Sequence, residues 1–403
     1  MKQKILLLTN IYPDPDLKLL NSTNVVHYFA REWVKLGYEV KVIYNYTIYL
    51  RVLHLIAKYF EGFIANWSLS IVNTDRKLAG KRYSIEGVQV EKIPLYKALP
   101  RIKFPKKSIT KQVDKIINSN ITDDFIPDII IGHFHNPNLE LVNLLKNVYS
   151  AKTCIILHGS TTNIKNIYKD DFPQLIDNID IWGYRSSAIG KKFETLYSVR
   201  PQSFICYSGI PENFLTDTNE KKFSVEIKRI IYVGALIKRK NPTSLIYALD
   251  KVYPNKNFSL TFIGQGSEKK RMKKIIRELK LISNIHFLGH ISREEVSKEI
   301  EASESFIMIS ENETFGLVYL EAMAKGCITI GSRNEGIDGV IKDGENGFLC
   351  EAGNVIELTN IIRKINSLSI TEKNIISSKA IEAAANLTDF KAAKKYLDAV
   401  LSF

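Results

Sequence analysis

Short apolar runs alternate with amphipathic stretches along most of the chain. Residues 4–9, 39–44, 128–131, 154–157, 180–183 and 203–207 are compact runs of the kind that form strands buried on both faces. Between the first two, Val25, Phe29, Trp33 and Leu36 fall on one face of a helix over 24–36, and Gly37 stops it. This strand–helix–strand opening predicts a doubly wound parallel sheet. A second series follows, with strands at 229–233, 260–263, 286–288, 306–309 and 328–330. A helix is expected over 315–324, with Asn312 or Thr314 as its cap and Gly326 as its stop. Residues 217–228 are polar without apolar periodicity and read as a linker. The fold class is therefore α/β, with one domain over 1–216 and a second over 217–389.

Two stretches of the first domain depart from this rhythm. Over 48–61, Arg51, His54, Lys58 and Glu61 recur every three or four residues among apolar and aromatic neighbours. The pattern predicts an amphipathic helix with a narrow polar stripe, either buried in the domain or lying on a membrane surface. Residues 76–115 then carry twelve Lys/Arg against three Asp/Glu, with Lys103, Lys106 and Lys107 interleaved with Ile102, Phe104 and Pro105. Such a segment is either a solvated face or one that an anionic bilayer attracts, at about 1 kcal/mol per basic residue near the surface.

Composition narrows the classes. The 403 residues suffice for two ordinary domains, and 45% hydrophobic with 25% charged residues is globular usage. The net charge of +13 points to an anionic partner: a phosphorylated substrate, a membrane surface or nucleic acid. No zinc finger, RNP or helix-turn-helix signature supports nucleic acid. Cys154, Cys206, Cys327 and Cys350 are scattered singly, which argues against zinc or a disulfide framework and for a reducing compartment. The N-terminus does not read as a signal peptide, and no run approaches the ~20 apolar residues of a membrane span. A cytoplasmic protein is expected, with a peripheral place on the inner face of the plasma membrane if the basic segment binds lipid.

The candidate chemistry lies at the carboxyl ends of the expected strands, where open α/β sheets bind ligands. The run 306–309 leads into Ser310-Glu311-Asn312-Glu313-Thr314-Phe315-Gly316-Leu317, with Glu321 further along the expected helix. A helix N-terminus there would hold an anion, and Glu313 and Glu321 would accept hydrogen bonds from hydroxyls. The strand 229–233 ends in Gly234 and runs through Lys238-Arg239-Lys240 to Pro242 at a helix start, where charges and dipole favour a diphosphate. Gly264-Gln265-Gly266 is a turn of the sort that lets a nucleotide approach. His158-Gly159 ends the run 154–157, with His133 and His135 as further histidines at a strand end. The loop through Asn21, Ser22 and Thr23 is long for its position and reads as functional.

The string Glu-x-Phe-Gly-Leu-x-x-x-Glu-Ala-Met-Ala-x-Gly over 313–326 resembles the donor-site signature of retaining glycosyltransferases with the GT-B fold, family 4 and its relatives. Arg239-Lys240 resembles that family's diphosphate-binding cations, and His158-Gly159 its sugar-contacting histidine. The resemblance covers 229–350 most fully. It implies two Rossmann-like domains facing a cleft, with the helix of about 390–403 packing back on the first. It implies a nucleotide-sugar donor, UDP-linked, and a glycan or polyprenyl-linked oligosaccharide acceptor, in bacterial cell-surface polysaccharide synthesis. The sugar would be transferred with retention and without metal or other cofactor. Glu313, His158, Arg239 and Lys240 would be catalytic. Gly234, Gly264, Gly266, Thr314, Phe315, Gly316, Leu317 and Glu321 would bind the donor, and Asn21, Ser22 and Thr23 would lie on the acceptor side. Where the family often carries a glycine pair in that first loop, this chain reads Asn21-Ser22-Thr23-Asn24, and the arginine many relatives carry directly after the glycine is Ala235. The competing readings are a starch- or glycogen-synthase-type enzyme, a UDP-sugar epimerase of the same fold, and a non-catalytic binding scaffold.

Overall fold

The computed structural model describes residues 3–15, 23–50, 52, 54, 55, 59, 60, 80–99, 102–159, 164–215 and 221–402. The chain forms two compact units. The first comprises residues up to 185, 190–206 and 392–403; the second comprises 186–189 and 207–391.

Among the described residues, the first unit is built on an eight-stranded sheet in the order β3-β4-β2-β1-β5-β6-β7-β8. The strands are β1 (Lys4–Thr9), β2 (Glu39–Ile48), β3 (Lys81–Ile85), β4 (Val88–Tyr96), β5 (Ile129–His133), β6 (Lys152–Leu157), β7 (Ile181–Tyr184) and β8 (Ser203–Ile205). All neighbours pair in parallel except β3 and β4. The apolar runs are buried as expected: Ile5 to Leu8 and Ile129 to Ile131 are at most 1% exposed. Strand order reverses at β1, which lies between β2 and β5, so the binding crevice of this sheet lies at their carboxyl ends.

The hairpin β3–β4 lies inside the stretch read only as basic. Glu86 and Gly87 both take positive φ (48° and 83°), the geometry that a tight right-twisted hairpin turn requires. Much of the positive charge is spent internally. Lys92 is buried and pairs with the buried Asp14 at 2.6 Å; Arg82 bonds Asp123 at 2.8 Å; Lys103 bonds Asp171 at 2.8 Å and lies 3.2 Å from Glu140. Of the expected helix over 48–61, residues 51, 53, 56–58 and 61 lie outside the described residues. Of its polar stripe only His54 is described, and it is buried, whereas Val52, Leu55, Tyr59 and Phe60 are exposed. Nε2 of His54 accepts the backbone N–H of Tyr49 at 2.9 Å.

The helix Asp389–Ser402 carries its last residues onto the first unit. There Trp33 donates to the carbonyl of Ala393 at 2.9 Å, and Tyr396 packs edge-on against Trp33 and Phe29 at 4.9 and 5.1 Å.

The second unit holds a six-stranded, wholly parallel sheet in the order β11-β10-β9-β12-β13-β14 among its described residues. Its strands are β9 (Arg229–Val233), β10 (Ser259–Ile263), β11 (Ile285–Gly289), β12 (Ser305–Ile307), β13 (Ile328–Ser332) and β14 (Phe348–Cys350). The division between units falls at Cys206/Tyr207, ahead of the linker expected at 217–228. Tyr207 packs at a tilt against Phe315 with ring centroids 5.3 Å apart, and the N–H of Ile210 bonds the carbonyl of Leu387 at 3.0 Å. Phe223 and Ile227 are themselves buried in the core of this unit. All four cysteines are buried and free.

Glu304, fully buried just before β12, accepts the backbone N–H groups of Ser224, of Lys228 at 2.9 Å and of Arg229 at 2.9 Å, which fixes the entry to β9. Burial pushes its carboxyl pKa up, but these N–H groups outweigh burial and hold it below the usual range. A depressed folded-state pKa contributes stability that is present above the unfolded value and lost as pH falls through the folded one. Glu304→Gln should therefore lower the unfolding free energy of the second unit by about 3 kcal/mol at neutral pH. It should also flatten the loss of stability below pH ~4, both read by urea denaturation across pH. Unchanged midpoints at both pH values would refute this role.

Candidate functional site

Parallel pairing of β9 with β12, Ser305 beside Ile230 and Phe306 beside Ile231, places their carboxyl ends side by side. This is where the strand order of the second sheet reverses. Two loops distant in sequence meet there. One leaves β9 through Gly234 and forms a single helical turn, Lys238–Lys240, before the helix Pro242–Val252. The other leaves β12 through the buried Met308 and Ile309 and reaches the helix Leu317–Ala324. Backbone bonds stitch them: the N–H of Glu311 donates to the carbonyl of Arg239 at 2.7 Å, and Asn241 Nδ2 donates to the carbonyl of Ile309 at 2.9 Å.

This stitching brings opposite charges together. Lys240 Nζ donates directly to Glu313 Oε2, and Arg239 Nη1 lies 3.9 Å from the same oxygen. Arg239 also donates to the carbonyl of Glu311 at 3.3 Å. Ser310 Oγ donates to Glu313 Oε2 at 3.3 Å, and Glu335 Oε2 accepts the N–H of Glu313 at 2.8 Å. Beneath them, the buried Tyr319 donates to the carbonyl of Met308 at 2.6 Å and lies 3.1 Å from Ser310 Oγ. A carboxylate and two cations are thus held at fixed positions with the cations partly exposed. Such a set can bind a ligand that is anionic at one end and rich in hydroxyls at the other.

The helix starts later than expected, at Leu317, and neither Asn312 nor Thr314 caps it. Gly316 occupies the cap position at φ 79°, and a Cβ there would lie 2.6 Å from the Tyr319 ring. Phe315 is drawn inward against Tyr207, so the chain cannot enter the helix until it has turned through Gly316. Thr314 is half-buried beside it. The N–H groups of the first turn, including Leu317, have no acceptors within their own helix and suit an anion. Glu321 is buried, and its Oε1 accepts from Arg293 Nη2 at 2.6 Å.

Gly264 and Gly266 have a packing role. A Cβ at either would lie 2.1 Å from the carbonyl oxygen of Gly234 or 2.2 Å from that of Leu236. The two glycines let the β10 turn press against the β9 loop, where the N–H of Leu236 bonds the carbonyl of Gln265 at 2.9 Å.

In the first unit, half-buried His158 follows β6. Its Nε2 lies 2.8 Å from His133 Nδ1, and Phe134 stacks on its ring at 3.9 Å. Tyr396 OH lies 3.3 Å from His133 Nε2. A buried phenol needs an acceptor for its proton, and His133 Nε2 is the partner the described residues give it. Tyr396 therefore donates, His133 carries its proton on Nδ1 and donates to His158 Nε2, and the His158 proton sits on Nδ1. Burial, then the charge of Arg185, holds His133 well below its ordinary pKa. Burial, His133 and Arg185 do the same for His158, so both rings are neutral at pH 7. Of the first loop, Asn21 and Ser22 lie outside the described residues; Thr23 Oγ1 accepts the N–H of Val25 at 3.3 Å.

Sequence reading did not single out Glu335, Arg293 or Tyr396. Each acts through a partner far along the chain, and no local spacing marks it. Among the described residues no cluster of His, Cys, Asp and Glu is placed to hold a metal ion, and no helix is long and apolar enough to cross a membrane.

Residues 215–382 match the family described as glycosyl transferases group 1. An N-acetyl-alpha-D-glucosaminyl L-malate synthase of Bacillus anthracis is 30% identical over 242 residues, 56% of this chain and 62% of its own length. An uncharacterized glycosyltransferase of Methanocaldococcus jannaschii is 28% identical over 255 residues, 62% of this chain and 69% of its own. The match to the first of these relatives therefore spans less than two thirds of its length. In fold, the crystal structure of Anabaena HepE in complex with UDP is similar with a TM-score of 0.68 at 16% identity, covering 100% of both chains. Residues 215–382 thus match the glycosyl transferases group 1 family, and the chain's two parallel-sheet α/β units have the fold of the GT-B glycosyltransferases.

Proposed function

We propose that the protein is a retaining glycosyltransferase that moves a hexose-type sugar from a nucleotide-sugar donor, UDP-linked, to a glycan or lipid-linked acceptor. The convergence of Lys240 and Arg239 on Glu313 where β9 and β12 end carries this reading. Bond cleavage between the anomeric carbon and the diphosphate leaves negative charge on the phosphate oxygens. Lys240, Arg239 and the first-turn N–H groups at Gly316 and Leu317 stabilise that charge as it develops. They meet it without a metal ion. Glu313 is released to the sugar hydroxyls once the diphosphate takes over its cations, and its carboxylate steadies positive charge at the anomeric centre. Glu321 accepts the ribose hydroxyls, with Arg293 fixing its rotamer.

Retention follows from attack on the face the phosphate leaves. The bond to phosphate breaks, the acceptor oxygen bonds the anomeric carbon on that same face, and the acceptor proton passes to the departing phosphate oxygen. His158, neutral and donating from Nδ1, orients the sugar. Exposed Leu50, Val52, Leu55, Tyr59 and Phe60, with Tyr96, Leu99 and Ile102, support a peripheral site on an anionic membrane face, in cell-surface polysaccharide synthesis.

Glu313→Gln should lower transfer from the correct nucleotide sugar by about 10²–10³-fold, the cost of removing one preorganised electrostatic group, while UDP affinity holds or rises, because Lys240 and Arg239 no longer have to be drawn from a carboxylate. Unimpaired transfer would sink the assignment. The donor itself should emerge from a thermal-shift screen, since a ligand at 100 times its Kd adds about 2.7 kcal/mol of stability. Tyr396→Phe removes only the hydroxyl that sets the relay. Nitrogen-15 shifts of the histidine rings should show His158 moving from the Nδ1–H tautomer to a mixture. Transfer should fall by about 3–10-fold, the worth of one hydrogen bond. An unchanged His158 tautomer would reject the relay whatever the activity.

A further inference from the structure

Lysines are rarely buried without a partner, because an unpaired ammonium loses its hydration and gains nothing for it. The other buried lysines described here obey this rule. Lys92 meets Asp14 at 2.6 Å, Lys41 meets Asp123 at 2.6 Å and Ser119 at 2.7 Å, and Lys373 donates to the carbonyls of Ser224 and Val225. Lys97 is as buried as these, at 6% exposure, and differs. Its backbone N–H extends the β4 ladder to the carbonyl of Ile48 at 2.9 Å, so the residue sits at the carboxyl edge of the first sheet. Its ammonium lies over the Phe104 ring at 4.5 Å, and among the described residues no oxygen accepts from it. A ring face takes one side of a cation and leaves the remaining N–H donors unmatched.

Its surroundings are also incompletely matched. His135 follows β5, and its Nδ1 is buried without a hydrogen-bond partner; so is Oδ1 of the neighbouring Asn136. Asn136 Nδ2 donates to the carbonyl of Ile102 at 3.1 Å, which ties the segment carrying Phe104 to the β5 end. Tyr168 OH donates to the carbonyl of His135 at 2.6 Å and holds it in place. Burial pushes Lys97 down to about 8, and burial followed by the Lys97 charge pushes His135 down to about 4. A cation, an imidazole that can donate and an amide oxygen that can accept thus converge where a doubly wound sheet binds its ligand.

We propose that Lys97 and His135 form an anion-binding site for a phosphate or carboxylate group of the acceptor, with Asn136 Oδ1 accepting from a hydroxyl beside that group. The proposal rests on the glycosyltransferase reading for the word acceptor, and on the geometry alone for the anion. An anionic oxygen supplies the acceptors that Lys97 lacks and draws an N–H from His135. It narrows the acceptor from any glycan to one with an anionic group near the hydroxyl that receives the sugar.

The test is titration of the full chain with inorganic phosphate, and separately with acetate, at constant ionic strength and without nucleotide. Binding is read by thermal unfolding and calorimetry in the wild type, Lys97→Met, Lys97→Gln and Lys240→Ala. At least one of the two anions should bind the wild type, and its affinity should fall at least about tenfold in both Lys97 variants and persist in Lys240→Ala. Without added anion, Lys97→Met should melt at or above the wild type, because it removes an unpaired buried charge. Binding lost only in Lys240→Ala would overturn the site and leave the donor reading standing. Equal binding in all four proteins would mark an adventitious ion only and also overturn it. If nucleotide sugars give no shift while the Lys97 dependence holds, the donor reading fails and the anion site survives.

Discussion

The parallel pairing of β9 with β12 is the constraint on which the candidate site depends. Neither loop is a site alone. The Lys238–Lys240 turn is a basic surface cluster, and Glu313 is a loop carboxylate in a chain rich in them. Adjacency of the two strand ends sets Lys240 and Arg239 against Glu313, and the backbone bonds between Glu311 and Arg239 and between Asn241 and Ile309 fix that distance. The sheet order makes room for this arrangement: where it reverses, the connections from β9 and β12 leave toward opposite faces of the sheet, and a crevice opens between them.

Around that crevice, support comes from backbone shape as much as from charge. Gly316 turns the chain so that Phe315 can pack against Tyr207 while the helix behind it stays aimed at the loop. Gly264 and Gly266 allow two loops to touch backbone to backbone where any side chain would collide. Tyr319 and Ser310 form a polar floor under Glu313. These contacts cost conformational freedom and place the charged groups before any ligand arrives, which is the condition for electrostatic stabilisation of a developing charge.

The first unit shows how charge that looks available in a sequence is consumed by folding. Its basic stretch folds into a hairpin and a following segment whose Lys92, Arg82 and Lys103 are all paired within the unit. Against that background, Lys97 stands out for lacking such a pairing among the described residues. The returning C-terminal helix has a similarly indirect effect, since Tyr396 reaches His158 only through His133.

Much of this was legible in the sequence. The apolar runs mark nearly every parallel strand, because a strand buried on both faces must be apolar at every position. The string from Glu313 to Gly326 and the cations before Pro242 mark the two loops, because strand–loop–helix units place their chemistry locally. What could not be read there is set by contacts between distant residues. The hairpin β3–β4 hid in a charged stretch, because a strand at or near the edge of a sheet has one face that tolerates charge. Glu335, Arg293 and Tyr396 gain their roles from partners that only the folded chain brings near. Likewise, His54 is buried with its ring bonded to the backbone N–H of Tyr49, a contact that no spacing of charges announces. The sequence by itself determined which segments become strands and which loops carry charge, because burial and local turn chemistry are properties of neighbours along the chain. Only the tertiary structure decided which of those charges neutralise one another and which remain to meet a ligand.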